Sequence, residues 1–179
     1  ISIPYRRGAP NLQPFSGGDI GRRNMGKEIE RKFLVKDCSY KDKASSCKVY
    51  RQGYISVQPD RVIRVRTDGE RGYLTLKGPS SGVARLEYEY EIPLPDAEEM
   101  LSLMCDKPII EKRRYIVFHE GVEWEVDEFE GENQGLCIAE IELEQEGQSF
   151  SLPPWIGPEV TGDPRYYNAN LVKSPYKSW

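Results

Sequence analysis

The sequence lacks the residues and segments that several common kinds of site require. His119 is the only histidine, and the four cysteines, Cys38, Cys47, Cys105 and Cys137, show no C-x-x-C spacing, which argues against a zinc site. There is no run of about 18 apolar residues, so we expect no membrane span. No signal peptide is recognisable either, and we expect a cytoplasmic protein whose cysteines are reduced packing residues.

Neither sign of charge dominates the composition. The chain carries 25 Lys and Arg against 29 Asp and Glu, a net charge of −4, which argues against a nucleic-acid surface as its main role. Aromatic residues reach 11%, too many for a disordered chain. The 179 residues suffice for one domain of ordinary size.

The first 24 residues differ from the rest. They are rich in proline and glycine, show no periodicity, and carry four arginines against Asp19. We therefore interpret 1–24 as a non-native leader, Met25 as the natural start and 25–179 as a single domain. An Arg-rich transit peptide is the alternative. The intact mass of protein from the native source would decide between them.

From Met25 onward, period-two alternation predicts about eight strands and one short helix. Asp68-Gly69 and Glu120-Gly121 mark tight turns, and Asp96 is expected to cap the helix at 97–104. Many short strands joined by turns favour an antiparallel, mainly β (α+β) architecture, either a sandwich or a closed barrel. The predicted strands are 28–35, 48–57, 61–67, 73–77, 85–92, 110–118, 123–129 and 136–144.

Charged residues alternate with apolar ones on most of these strands. In a sandwich all of these charges would be solvated, whereas in a barrel they would converge in a polar bore, and the pattern alone leaves both open. Acids and bases are segregated, which suits a polyanion gripped by Arg and Lys with its Mg²⁺ or Mn²⁺ held by carboxylates. The alternating sets are Glu28/Glu30/Lys32, Arg64/Arg66, Arg85/Glu87/Glu89, Lys112/Arg114, Glu123/Glu125/Asp127 and Glu140/Glu142/Glu144.

The stretch Glu28-Ile29-Glu30-Arg31-Lys32 resembles the E-x-E-x-K signature of the CYTH superfamily, the triphosphate tunnel metalloenzymes. It stands just after Met25, where that family places it, and the resemblance covers about 25–175. The tail from Glu159 to Asn168 is similar to that of small bacterial members of the tripolyphosphatase type. Further matches follow in order: Arg64-Val65-Arg66, Thr75-Leu76-Lys77, Glu87-Tyr88-Glu89, Lys112-Arg113-Arg114 and Ala139-Glu140-Ile141-Glu142.

The resemblance implies an eight-stranded antiparallel closed β-barrel with short helices outside, and leaves open whether the C-terminal segment plugs one end. It implies Mg²⁺ or Mn²⁺ as cofactor, and catalytic roles for Glu28, Glu30, Lys32 and Lys112. The implied substrate ligands are Lys32, Tyr54, Arg64, Arg66, Lys77, Arg85, Lys112 and Arg114, and the implied metal ligands are Glu28, Glu30, Glu87, Glu89, Asp127, Glu140 and Glu142.

The expected function is metal-dependent hydrolysis of a small triphosphate or polyphosphate, with inorganic tripolyphosphate first. A class IV adenylyl cyclase and a thiamine triphosphatase are alternatives, and a non-catalytic polyphosphate-binding module is one of a different class. Tyr88, Tyr90 and Trp124 are predicted to face outward, which makes them poor partners for a nucleotide base. The intact paired carboxylates favour an enzyme. We expect no nucleic-acid or membrane partner, while a homodimer and the number of metal ions stay open.

Overall fold

The computed structural model describes residues 26–58, 60–81, 84–145 and 147–179, and the side chains of 29–58, 60–79, 86–145 and 147–179. The predicted leader 1–24 lies outside them. The strands are β1 (Gly26–Val35), β2 (Ala44–Gln58), β3 (Arg61–Thr67), β4 (Gly72–Ser81), β5 (Ala84–Ile92), β6 (Ile110–His119), β7 (Val122–Phe129), β8 (Cys137–Leu143) and β9 (Ile156–Glu159). The α-helices are α1 (Leu94–Leu103) and α2 (Asn168–Leu171), and short 3-10 turns span Ser39–Lys43, Gly131–Asn133, Pro164–Tyr166 and Tyr176–Ser178.

All strand pairs are antiparallel, in the order β5-β4-β3-β2-β6-β7-β8-β1-β9. β1 pairs with β8 through Ile29–Leu34, and its first residues, Gly26–Ile29, also pair with β5. This second pairing joins the two ends of the row, so β1 to β8 form a ring. The expected mainly β, antiparallel architecture is confirmed, and the ring sets two faces apart, one inside and one outside.

Turn chemistry explains why neighbours in sequence become neighbours in the ring. Glu120 and Gly121 both have positive φ, 47° and 82°, as a two-residue hairpin between β6 and β7 requires. Gly69 has φ 86°, and the Asp68 carboxylate accepts hydrogen bonds from the Glu70 and Arg71 backbone N–H groups. Both turns stand where the sequence predicts them.

Two local predictions differ from the structure. α1 begins at Leu94, because Pro95 fits the first turn of a helix, and no side chain caps its N-terminus; the predicted Asp96 cap is wrong. Asp96 instead lies within the first turn, where a carboxylate favours the helix dipole. β9 was not predicted, since its sequence Ile-Gly-Pro-Glu has no alternation.

The outer face of the ring carries the main apolar cores. Trp124 of β7 and Phe33 of β1 pack with Trp155 and Tyr40, which lie on the segments that cover this side. α1 covers another part, where Leu101 packs with Val65 of β3. Burial of these aromatic and aliphatic side chains drives the charged residues of the same strands to the inner face. No described helix is long and apolar enough to cross a membrane.

The four cysteines are free thiols, and their environments differ. Cys105 is buried under α1, and Cys137 is partly buried beside the Tyr40 hydroxyl at 3.6 Å. Cys38 and Cys47 are exposed, so the prediction that all four serve as packing residues is wrong for these two. Composition alone does not reveal this exposure.

Candidate active site

Lys32 of β1 lies at the centre of one wall of the ring. Register places it opposite Glu140 of β8, and its ammonium donates hydrogen bonds to the carboxylates of Glu30 and Glu140. Burial lowers the pKa of Lys32, but Glu140 and Glu30 together raise it by more than burial lowers it, so the net shift is upward. Lys32 is therefore a partly buried ammonium whose charged form is stabilised by a carboxylate on either side.

The neighbouring wall, formed by β6 and β7, carries a second charge cluster. Arg114 donates two parallel hydrogen bonds to the Asp127 carboxylate, from Nε to Oδ1 and from Nη2 to Oδ2, each 2.7 Å long. Its other contacts are the carboxylate of Glu125 and, at 3.6 Å, that of Glu140. The Lys112 ammonium also donates to Asp127. Burial and the charge of Arg114 lower the pKa of Lys112 to about 8, whereas Asp127 raises it.

The opposite wall, formed by β3, β4 and β5, carries the third cluster. The Arg64 guanidinium contacts Glu89 at 3.1 Å and Glu87 at 3.4 Å, and Arg66 contacts Glu89 at 3.0 Å. Lys77 contacts Glu87 at 2.5 Å. Across the β3–β4 and β4–β5 pairs these residues share one face, which is why side chains from three strands meet.

Charges on strands that are not paired with each other also interact across the ring. Lys77 of β4 lowers the pKa of Glu30 on β1, and Arg64 of β3 interacts with Arg114 of β6. Burial raises the pKa of Tyr54 on β2 to about 12, while Arg64 and Lys32 lower it. The three clusters therefore line one bore, and the Tyr54 hydroxyl stays protonated inside it at neutral pH.

Two tyrosines stack against the arginines of the bore. Arg66 lies over the rings of Tyr50 and Tyr73, at 5.1 and 5.2 Å from their centroids, and Arg114 lies over Tyr50 at 5.7 Å. The Thr75 hydroxyl adds a bond to Glu89 at 2.8 Å. The sequence analysis assigned no role in the site to Tyr50, Tyr73 or Thr75. The alternation that places Tyr73 and Thr75 on the same face of β4 as Lys77 indicates that both line the bore.

One end of the bore is apolar and covered by the C-terminal segment. Ile110, Phe129 and Ile138 continue the inner face beyond the charged residues, and they cluster with Leu171 of α2 and Tyr166. The other end carries Glu125 and the exposed Glu142. The bore is thus closed at the apolar end by α2 and its neighbours, and opens beside Glu142.

Most of the predicted site residues come together in this bore, one is exposed, and two have side chains outside the described part. Glu142 stands opposite Glu30 in the β1–β8 register but its side chain is exposed. Glu28 and Arg85 are paired with each other in the β1–β5 register, and their side chains lie outside the described part. The remaining predicted residues line the bore: Glu30, Lys32, Tyr54, Arg64, Arg66, Lys77, Glu87, Glu89, Lys112, Arg114, Asp127 and Glu140.

An antiparallel ring with cations and carboxylates converging in its bore defines a tunnel protein that binds an anionic ligand. The chain belongs to the CYTH domain family, whose model matches residues 26–173. It is 59% identical over 155 residues to an inorganic triphosphatase of Acetivibrio thermocellus, covering 87% of this chain and 99% of that protein. An inorganic triphosphatase of Nitrosomonas europaea is 38% identical over 151 residues, covering 82% of this chain and 97% of that protein.

Solved structures show the same fold. The crystal structure of the inorganic triphosphatase NE1496 aligns with a TM-score of 0.62 and 35% identity, covering 83% of this chain and 95% of that one. The PH1012 protein from Pyrococcus horikoshii aligns with a TM-score of 0.51 and 23% identity, over 66% and 79% of the two chains, which speaks for the fold alone.

Triphosphate tunnel enzymes of this family depend on a metal ion, and the bore offers oxygen donors of the kind that hard divalent cations prefer. Within the described residues no three carboxylates are grouped as metal ligands, because they point at Lys and Arg side chains. Burial and the charge of Glu140 nevertheless raise the pKa of Glu30. A cation beside these two carboxylates would relieve that repulsion, so the donor set fits a metal.

Proposed function

We propose that this chain is an inorganic triphosphatase that hydrolyses tripolyphosphate to pyrophosphate and phosphate, with Mg²⁺ or Mn²⁺ as its metal. The observation that carries the proposal is the convergence of Lys and Arg side chains from four strands on one bore. Two relatives, matched over 99% and 97% of their own length, bear the name inorganic triphosphatase and support it. The apolar closed end favours a short, linear anion that enters from the open end.

We assign phosphate binding to the cations of the bore. Arginine suits bidentate contacts to phosphate and lysine acts as a point charge, so several together spread their field over a chain of phosphates. During hydrolysis they stabilise the charge that develops on the transferred phosphoryl group. The proposed phosphate ligands are Lys32, Arg64, Arg66, Lys77, Arg85, Lys112 and Arg114, with Tyr54 beside them.

We assign metal binding to the carboxylates. When bound, the metal polarises a phosphoryl oxygen and supplies activated water. Lys32 holds Glu30 and Glu140 in place through its two hydrogen bonds, and Arg114 does the same for Asp127. Glu28, Glu30, Lys32 and Lys112 form the proposed catalytic group. The proposed metal ligands are Glu28, Glu30, Glu87, Glu89, Asp127, Glu140 and Glu142.

The test of the proposal is phosphate release from tripolyphosphate, ATP and thiamine triphosphate with Mg²⁺ or Mn²⁺, and with a chelator as control. We expect metal-dependent release that is fastest from tripolyphosphate. Faster release from thiamine triphosphate would move the protein to the thiamine triphosphatases. Conversion of ATP to cyclic AMP and pyrophosphate would make it a cyclase. Tight binding with no turnover would leave a polyphosphate-binding module.

Two arginines of β3 provide a matched pair for the phosphate assignment. Arg64 is buried in the bore, whereas Arg61 is 72% exposed on the same strand, at 3.6 Å from Asp60. We expect Arg64→Ala to raise KM for tripolyphosphate by about 10-fold or more, because one charge-assisted phosphate contact is lost. Arg61→Ala should leave KM unchanged. Equal effects of both substitutions would refute the assignment of Arg64 as a phosphate ligand.

Other expectations stay predictions. These are the absence of nucleic-acid and membrane partners, a place in the cytoplasm, and the homodimer. Light scattering coupled to size-exclusion chromatography measures the molar mass against the 20.6 kDa of one chain and tests the last of them.

A further inference from the structure

Gln52 is a fully buried amide on the inner face of β2 to which no role is yet assigned. It stands two residues before Tyr54 and therefore shares its face. Register places it opposite Arg66 of β3 and opposite Ile110 of β6. The amide thus lies where the charged part of the bore meets its apolar closed end.

The side chain of Gln52 makes one hydrogen bond, and its direction matters. Its Nε2 donates to the Tyr54 hydroxyl oxygen at 3.0 Å. Because the phenol oxygen is the acceptor in this bond, its own hydrogen remains available for another acceptor. The charges that act on Tyr54 include those of Arg64 and Lys32, two of the proposed phosphate ligands. A phosphate oxygen held by them would lie within the region that the hydroxyl hydrogen can reach.

The other end of the amide argues against a packing role. Gln52 Oε1 is buried and accepts no hydrogen bond from any described residue, and Arg66 Nε, on the paired strand, donates none. A buried polar atom without a partner destabilises a fold, and an apolar side chain of the same shape would avoid that penalty. An unmatched acceptor and an unmatched donor in neighbouring positions fit a hydrated anion that enters the bore.

We propose that Gln52 is a positioning residue, which orients the Tyr54 hydroxyl so that it donates its hydrogen to a phosphate oxygen of the substrate. The inference rests on the proposed function and adds to it. Gln52 acts through Tyr54, so its contribution to turnover should vanish when the hydroxyl is absent.

The experiment is a double-mutant cycle of Gln52→Met and Tyr54→Phe, with kcat and KM for tripolyphosphate measured at saturating Mg²⁺. We expect Tyr54→Phe to lower kcat about 10- to 100-fold, and Gln52→Met about 10-fold, as loss or misdirection of one donor does. The double variant should be no slower than Tyr54→Phe alone. The thermal midpoint of Gln52→Met should equal or exceed that of the unsubstituted protein.

Gln58→Met is the matched control, since Gln58 is an exposed residue of β2 that accepts a bond from Arg61 outside the bore. It should leave kcat unchanged. The inference is overturned if Gln52→Met keeps full kcat, if the two losses multiply in the double variant, or if kcat falls only together with the thermal midpoint. Should Gln52→Met fail to fold, Gln52→Asn, whose shorter amide cannot reach the hydroxyl, replaces it in the cycle. An unsubstituted protein that releases no phosphate would instead refute the proposed function.

Discussion

Glu30 and Glu140 share one ammonium, yet their pKa values move in opposite directions. Burial raises the pKa of Glu30 and the charge of Glu140 raises it too, while Lys32 lowers it, and the net shift is upward. Burial also raises the pKa of Glu140, but Lys32, Lys112 and Arg114 together lower it. Glu140 therefore stays ionised at neutral pH, and Glu30 is the carboxylate that gains most from an added cation.

The first residue-scale prediction concerns Glu140→Gln. The amide keeps the shape but not the charge, so the metal loses a ligand, and we expect turnover of tripolyphosphate to fall by about 100-fold or more. Binding of tripolyphosphate, measured by calorimetry, should remain detectable because the cations are intact. Glu111→Gln, on the outer face of β6, is the control. Full turnover in Glu140→Gln would show that Glu140 holds no metal.

The second residue-scale prediction concerns Glu128, on the outer face of β7. Its carboxylate accepts bonds from Tyr40 and, at 2.5 Å, from Lys41. Burial raises the pKa of Glu128, but the bonds from Lys41 and Tyr40 lower it by more. The net pKa is below the ordinary glutamate value of 4.5. A carboxyl with a lowered folded pKa stabilises the protein above its unfolded pKa, and this stabilisation is lost as pH falls through the folded pKa.

We therefore expect Glu128→Gln to lower the free energy of unfolding on the order of 1 kcal/mol at pH 7, and less as the pH drops below about 4.5. Urea unfolding at pH 7 and at acid pH measures this. Glu130→Gln, which breaks an exposed pair with Arg113, should change little at either pH. A loss in Glu128→Gln that stays constant with pH would contradict the electrostatic explanation.

At the scale of elements, the strands carry the site and the C-terminal segment limits it. Thr161 accepts a hydrogen bond from the Lys32 backbone N–H at 2.9 Å, and the Val160 N–H donates to the Lys32 carbonyl at the same distance. Leu171 of α2 is fully buried against the apolar end of the bore. The segment that closes the tunnel thus also holds the backbone of its central lysine.

The prediction at this scale concerns Leu171→Ala. Removing three carbons from a buried site leaves a cavity, and we expect the free energy of unfolding to fall by about 2–4 kcal/mol. Chemical denaturation measures the loss. Lys173→Ala, an exposed change two residues later, should be within about 0.5 kcal/mol of the unsubstituted protein. Equal stabilities of the two variants would mean that α2 does not pack on the end of the bore.

At the scale of the whole molecule, positive and negative charges in the bore are paired. Each lysine and arginine whose side chain is described in the bore contacts at least one carboxylate. A triphosphate entering alone would set its negative charges beside these carboxylates, and a divalent cation entering alone would meet the lysines and arginines. Entry of both keeps the bore close to neutral, so the two ligands should favour each other's binding.

The whole-molecule prediction follows from this balance. Thermal unfolding with Ca²⁺, a divalent cation that prefers oxygen ligands, should show a small shift with the cation alone and a small shift with tripolyphosphate alone. Together the shift should exceed the sum of the two, because binding to the native state stabilises by mass action. A strictly additive shift would contradict charge compensation as the coupling mechanism. Arg64→Ala should weaken the tripolyphosphate-dependent part.

Much of the site could be predicted from strand alternation and the E-x-E-x-K resemblance. Glu30, Lys32 and Glu140 were assigned to the charged faces of their strands and to the binding of a triphosphate and its metal. The structure brings the three side chains within hydrogen-bonding distance. Gln52 was missed, because a single neutral amide on a strand carries no pattern. It stands opposite Ile110, which belongs to the closed end of the bore together with residues more than a hundred positions from Gln52.

The sequence by itself determined the eight strands of the ring, their charged and apolar faces, and the segregation of acids from bases. Those follow from a period of two residues and from the free energy of burying apolar side chains. Only the tertiary structure decided whether the charged faces point into one bore or into solvent, because that depends on β1 pairing with both β8 and β5. It also decided that the apolar end is closed, since Leu171 and Ile138 are distant in sequence and meet only when the ring has formed.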